Sequence, residues 1–350
     1  MQQAMGADEI DAFVITHTPN IFYLSGFSGS SAVLVVKPSG ATLFTDPRYT
    51  IQAKQEAAGV KVRIVHGPLL AAAGGHLESA RTHRVGFEAA RITVAQKAAL
   101  EKATGKRARW TAWDGRIERA RAVKDSVEIE TMREAAAIAC AAWLEVLPLV
   151  KVGAVEADLA AEIEYNMRRK GATGPAFDTI VASGERAALP HARASRKAIK
   201  KNELVVFDLG AILRGYSSDL TRTVFVGHAP MAVRRQYKAV LEAQEAARVA
   251  LRPGVHAEEV DAAARGVLQR AGLAAKFVHS TGHGLGLEVH EMPRLGRGDK
   301  SILLSGAVVT LEPGVYFEGH GGIRIEDDAV VTETGAEYLT RANRELIELG

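Results

Sequence analysis

Two acidic residues sit inside apolar, strand-like runs: Asp208 in Leu204–Gly210 (LVVFDLG) and Asp219 in Gly215–Val226 (GYSSDLTRTVFV). The midpoint between them falls between Leu213 and Arg214, inside the turn-like stretch Gly210–Gly215. A simple antiparallel hairpin therefore sets the two carboxylates opposite each other. Opposed like charges destabilise a sheet, and buried carboxylates are costly unless something positive binds them. The same arithmetic recurs downstream. Glu312 ends Val308–Glu312 (VVTLE), Glu326 ends Gly322–Glu326 (GIRIE), and the point midway between them is Gly319, in a second turn-like segment. Between the two pairs lies His279-Ser-Thr-Gly-His283-Gly-Leu-Gly-Leu-Glu-Val-His290-Glu291, three histidines interleaved with glycines. Such a cluster beside four acids favours metal ligation or proton transfer.

One histidine and four carboxylates form an oxygen-rich donor set. It suits Mn²⁺ first, with Co²⁺, Fe²⁺ and Zn²⁺ as alternatives. Four carboxylates carry four negative charges, which two divalent ions balance. Two such ions can share a hydroxide and clamp a tetrahedral transition state, the chemistry of amide or ester hydrolysis. Other motifs lead nowhere. His290-Glu-Met-Pro-Arg294 is not a His-Glu-x-x-His zinc motif. The glycines of GHGLG at 282–286 lack dinucleotide-binding spacing and are read as allowing close backbone approach beside the site.

These residues need elements to carry them. The first third alternates strand-like runs (Ala12–Thr16, Ala32–Lys37, Thr42–Thr45, Val62–Val65, Val85–Glu88) with helical runs (Arg48–Ala58, Val94–Thr104), which predicts a small α/β domain over residues 1–118. The polar, basic stretch Trp113–Asp125 reads as a linker, with Trp110 and Trp113 packing at a domain junction. Ser126 is the expected N-cap of a long Ala-rich helix, and residues 125–350 form the larger unit. Helices are expected over 126–147, 154–170, 231–251 and 257–271, punctuated by Gly153, Gly171, Gly254 and Gly272. Helix, turn, helix and a pair of strands occur twice, a weak internal repeat.

With 350 residues the chain has room for two domains. Its 44 Lys and Arg against 41 Asp and Glu give a net charge of +3, not the footprint of a nucleic-acid binder. The basic run Arg193–Lys201 reads as a solvated loop. The single cysteine, Cys140, excludes an intrachain disulfide and a Cys-based zinc site, and its Ala-rich helical setting makes it a small buried residue. No apolar stretch reaches membrane-spanning length, and no signal peptide is visible. The expectation is a cytoplasmic protein with no membrane or nucleic-acid partner.

The segments FDLGA at 207–211, SSDLTRT at 217–223, HSTGHGLGLEVHE at 279–291, TLEPGVYF at 310–317 and GIRIEDD at 322–328 resemble the pita-bread metallopeptidases of family M24, and within them the Xaa-Pro peptidases. The order and spacing agree from about residue 125 to 340. The N-terminal YLSGFSGS and LFTDPRY resemble, less diagnostically, that family's creatinase-type N-terminal domain. The resemblance implies a pseudo-twofold α/β catalytic domain. It also implies that Asp208, Asp219, His283, Glu312 and Glu326 hold two metal ions, with Asp219 bidentate and Glu326 bridging. Glu312 would also take the proton from the attacking water. His191, His279 and His290 would contact substrate and stabilise the tetrahedral intermediate. Arg324, placed by strand periodicity on the face of Glu326, would orient that ligand.

The implied substrate is a peptide with proline second, whose scissile bond is a tertiary amide without an N–H. An Xaa-Pro aminopeptidase is the leading expectation, on the strength of LFTDPRY, and an Xaa-Pro dipeptidase (prolidase) is the alternative. A homodimer is expected from the family. A creatinase-like amidinohydrolase is disfavoured because that activity does not use the five ligands. A methionine aminopeptidase is disfavoured because it normally lacks a comparable N-terminal domain. A catalytically silent binding module predicts salt-dependent nucleic-acid binding without metal-dependent turnover.

Overall fold

The computed structural model describes residues 2–350, which divide into two compact units, 2–121 and 122–350. In the first unit, alternating apolar residues build a six-stranded mixed sheet. Its order is Lys61–Ile64, Gly40–Thr45, Ala32–Lys37, Ala12–Ile15, Arg84–Phe87 and Arg109–Ala112. The central strand shows why both faces are covered. Phe13 and Ile15 join one buried cluster, while Ala12 and Val14 join another. The helices Thr18–Ser25 and Leu69–Ser79 were not anticipated. The expected linker contains a short helix, Arg116–Ala122, and Trp113 is buried in a core cluster of the first unit, edge-on to Phe13 at 4.8 Å.

The second unit is built on a nine-stranded sheet that is antiparallel apart from one short parallel pairing. Its first long helix, Ser126–Val146, is capped by Asp125 rather than Ser126. The Asp125 carboxylate accepts the Val127 and Glu128 amides, and Glu128 returns the bond in a capping box. This helix and Glu156–Arg169 pack on Val205, Phe207, Leu209, Leu220, Val224 and Val226. The helices Met231–Ala250 and Ala257–Arg270 pack on Val309, Leu311, Ala329 and Val331. Register places these two sets on one face, because Leu209, Leu220, Asp327 and Leu311 are paired in a single row across four strands. Two helix pairs thus back one sheet face, the pita-bread arrangement, and leave the other face free to carry polar residues.

Asp327 is the polar member of that helix-side row. It is neutralised by the fully buried Arg222 at 2.7 Å, accepts Thr340 Oγ1 and Gln244 Nε2, and so costs no unpaired charge. No helix among the described residues is long and apolar enough to cross a membrane.

Candidate metal centre and active site

The row next to the apolar one points to the opposite face. Asp208 pairs with Thr221, and Thr221 pairs with Glu326. The register of Val308–Leu311 against Glu326–Val331, continued by one step, sets Glu312 opposite Glu326. The same register runs on through Gly314–Phe317 against Gly321–Arg324, with its centre at Gly319 as the sequence arithmetic expects. The first hairpin departs from expectation. Its turn is Arg214-Gly215, with φ of 48° and 88°, one residue later than the midpoint of the two aspartates. A type I′ two-residue hairpin turn has positive φ at both central residues, and glycine supplies it without strain at the second. Asp208 therefore faces Thr221, and Asp219 lies diagonally two residues before it, on the same face.

His283 reaches that face from the short strand Gly282–Gly284, whose Gly284 pairs with Val309. Its amide donates to Thr310 Oγ1 at 3.1 Å and its Nδ1 donates to the Gly284 carbonyl at 3.0 Å, which leaves Nε2 aimed at the acids. The flanking glycines are required by close approach. A Cβ on Gly282 would stand 1.9 Å from the Thr310 carbonyl oxygen, and one on Gly284 2.1 Å from that of Met292.

The result is a dense acidic cluster. His283 Nε2 lies 3.4 Å from Glu312 Oε1 and 3.9 Å from Asp219 Oδ2. Asp219, His283 and Glu326 each offer a ligand atom within 4.8 Å of the others. Asp208 Oδ1 and Asp219 Oδ1 are buried without a hydrogen-bond partner. Burial pushes the Asp219 carboxyl well above the ordinary range, and repulsion from Glu326 and Asp208 adds to it. Glu326 is raised in the same way, by burial and then by Glu312 and Asp208. Buried carboxylates with open lone pairs and mutual repulsion, facing one imidazole nitrogen, are the donor chemistry of a divalent-cation site. The five residues fit such ions.

Arg324 binds Asp208 rather than Glu326. Its Nη2 donates to Asp208 Oδ2 at 2.6 Å, and it reaches Glu326 only through Thr221, which accepts Arg324 Nε at 3.0 Å and donates to Glu326 Oε2 at 2.5 Å. The cause is the break at Ile325: Arg324 ends one strand and Glu326 begins the next. Arg324 Nη1 also donates to Tyr316 Oη at 2.9 Å, and Tyr316 Oη is 2.8 Å from His279 Nε2. His279 Nδ1 faces the Ser280 carbonyl at 2.8 Å, so Nδ1 donates and Nε2 accepts the Tyr316 proton. Burial holds this imidazole below its usual pKa, which agrees with the neutral form.

All nine residues singled out in the sequence line one cavity of about 550 Å³: Asp208, Asp219, His283, Glu312, Glu326, Arg324, His191, His279 and His290. His191 and His290 are exposed on its walls, and the His290 ring lies 4.2 Å from that of His283, centroid to centroid. Phe177 and Arg294 also line it and were not singled out, and Arg193, read above as the start of a solvated basic loop, lines it too.

Several supporting residues went unrecognised as well. Asp328 accepts the Asp219 amide at 3.0 Å, and its position in GIRIEDD was the available signal. Asp261, on the helix Ala257–Arg270, accepts the Thr281 amide and hydroxyl at 3.0 and 2.8 Å and pairs with Arg265 at 2.6 Å. Arg265 donates to the Phe277 carbonyl at 3.2 Å and to that of His279. This pair grips the backbone on both sides of His279.

Comparison with known proteins agrees with the geometry. Residues 130–333 match the model of metallopeptidase family M24, and residues 1–123 match that of the creatinase/prolidase N-terminal domain. An Xaa-Pro dipeptidase of Pyrococcus furiosus is 38% identical over 344 residues, covering 98% of this chain and 97% of that protein. The solved Xaa-Pro dipeptidase from Bacillus anthracis superposes with a TM-score of 0.96 at 37% identity, covering 99% of this chain and 98% of the other. The X-Pro aminopeptidase from Thermotoga maritima superposes at 0.91 with 38% identity, covering 97% and 98%. A family match over most of the second unit, relatives similar over nearly the whole length and a cavity with a divalent-metal donor set place this chain in metallopeptidase family M24.

Proposed function

We propose that the chain is an Xaa-Pro dipeptidase, hydrolysing the bond between a first residue and proline, with catalysis carried by residues 125–350. The observation that carries it is the convergence, in one cavity, of four carboxylates and an imidazole with the exposed guanidinium of Arg294. A dipeptide places its own free carboxylate one residue from the scissile bond, and an arginine suits a carboxylate. The relatives support the same choice: both the Pyrococcus furiosus and Bacillus anthracis proteins are dipeptidases, so the weight moves from the aminopeptidase favoured by LFTDPRY to the alternative. The Thermotoga maritima likeness keeps the aminopeptidase as the second reading.

In this proposal Asp208, Asp219, His283, Glu312 and Glu326 hold two divalent ions, with Mn²⁺ the first choice. When bound, such ions supply a water of lowered pKa and charge stabilisation for a tetrahedral transition state. The protein's own residues do the rest. Glu312 accepts the proton of the attacking water at its carboxylate and returns it to the departing proline nitrogen, which has no proton of its own in the substrate. Arg324 fixes the orientation of Asp208 through its 2.6 Å bond. His191 and His290, exposed on the cavity walls, contact the peptide, and the neutral His279 borders Glu312, with Nδ1 3.9 Å from Oε2. A homodimer belongs to the same proposal, and light scattering at twice the chain mass checks it.

Hydrolysis of Ala-Pro beside Ala-Pro-Ala, by chelator-stripped protein with and without Mn²⁺, tests the substrate. The proposal expects Mn²⁺-dependent cleavage of the dipeptide alone. Cleavage of the tripeptide makes it an aminopeptidase, and cleavage of neither by metal-loaded protein removes the peptidase reading.

A further inference from the structure

Glu156 begins the helix Glu156–Arg169 and is fully buried, yet none of the chemistry above uses it. Its carboxylate accepts five hydrogen bonds. Ser183 N–H and Oγ reach Oε1 at 2.8 Å each, while Arg186 Nε at 3.0 Å, Ser195 N–H at 3.2 Å and Ser195 Oγ at 2.6 Å reach Oε2. Every donor comes from residues 183–195. After the 3₁₀ turn Gly184–Ala188 this stretch belongs to no strand, and in it Pro190, His191, Ala192 and Arg193 line the cavity. The donors bracket His191: Ser183 and Arg186 precede it and Ser195 follows it. Arg186 is bound to Glu156 and also donates to the Arg193 carbonyl, and the middle of the strap is tied to the site where Pro190 O accepts Arg324 Nη1 at 3.1 Å.

A carboxylate removed from water is tolerated only when its lone pairs are filled and its charge is met. Here both conditions are supplied by the strap, so the strap's closed form and the comfort of Glu156 are one equilibrium. Loops without ladder hydrogen bonds otherwise sample many conformations, and a misplacement of about 1 Å at a catalytic group can cost about 100-fold in rate.

We propose that Glu156 is a positioning residue for the reaction, closing the 183–195 strap into the conformation that presents His191 to the substrate. Its kinetic consequence rests on the peptidase reading. Its structural consequence does not. Glu156→Gln keeps the shape but in either amide orientation turns an N–H₂ toward donors, those of Ser183 or those of Arg186 and Ser195, which releases the strap.

The test is a double-mutant cycle on Mn²⁺-loaded enzyme. Glu156→Gln should lower kcat/KM for Ala-Pro by about tenfold or more, with full metal content, and should cost little further in a His191→Ala background. Equal losses in both backgrounds, or no loss in the first, overturn the proposal. Ser195→Ala, which removes only the 2.6 Å hydroxyl bond, is read in the same two backgrounds as the milder variant and should give a smaller loss that also vanishes without His191. In parallel, the ring ¹³Cε1 signal of His191 is followed in histidine-labelled protein, assigned by His191→Ala. A displaced or broadened signal in Glu156→Gln or Ser195→Ala supports the proposal, and an unmoved one overturns it even if Ala-Pro proves not to be a substrate.

Discussion

The acids of the cavity and three of its four histidines are held by different means. Asp208, Thr221 and Glu326 form one row of paired strands, and Glu312 continues it. Their positions follow from backbone hydrogen bonds and a helix-backed sheet. His191, His279 and His290 stand on segments outside the strands. Each is fixed instead by side chains reaching in from elsewhere: Glu156 for His191, and Asp261 with Arg265 for His279. His290 lies against His283 with the rings tilted by 49° and precedes Glu291, whose carboxylate forms a buried pair with Lys124 at 3.3 Å. The difference suits the two tasks. Ligands that repel one another need a frame that cannot yield, whereas groups that meet a substrate can sit on segments that adjust around it.

The comparison breaks most severely at the row of acids. Asp219→Ala should lose metal and lower kcat by about 10³-fold or more, since metal-supplied charge stabilisation amounts to several kcal/mol. Metal analysis and turnover on one preparation check it, and retained activity would remove Asp219 from the site. On the helix side of the same sheet, Arg222→Met leaves Asp327 buried and unpaired. It should cost about 3–5 kcal/mol of stability, read by denaturant unfolding.

At the loops the effects should be smaller and should spare the metal. Asp261→Asn weakens the grip on Thr281 and Arg265, and kcat should fall about 10-fold to 100-fold with both ions retained. His290→Ala should lower kcat by about tenfold, again with metal content intact. Loss of both ions in either variant would show that the loops carry the metal as well, and the distinction drawn above would fail.

The smallest effect concerns pH. Asp219 and Glu326 are raised well above their unfolded values, so the metal-stripped fold binds more protons than the unfolded chain above about pH 4. Their contribution to its stability is therefore lost as pH rises toward the raised values. Bound divalent ions favour the charged carboxylates and oppose that loss. The gap in melting temperature between loaded and stripped protein should widen from pH 5 to 8. A constant gap would contradict the assignment of these two acids.

The legibility of the sequence followed the same division. Strand periodicity and turn position are local, so the Glu312–Glu326 register could be found by counting to Gly319. The Asp208–Asp219 pairing was missed by two positions, its turn centre by one, because the positive-φ demand at Arg214-Gly215 outweighs symmetry about the acids. Glu156, Asp261 and Arg265 carried no signal. Acids and arginines on amphipathic helices usually face water, and only the tertiary fold shows which ones turn inward to a loop. Tyr316 stood in plain view within TLEPGVYF, but its hydroxyl gains meaning only once Arg324 and His279 are seen on either side of it.

On the proposed reading, five residues on one sheet face hold two divalent ions. Anomalous diffraction from Mn²⁺-loaded crystals tests it most directly. Two manganese peaks within the cavity, bonded to Asp208, Asp219, His283, Glu312 and Glu326, are the predicted result. A single peak, or peaks bound away from these side chains, would contradict it.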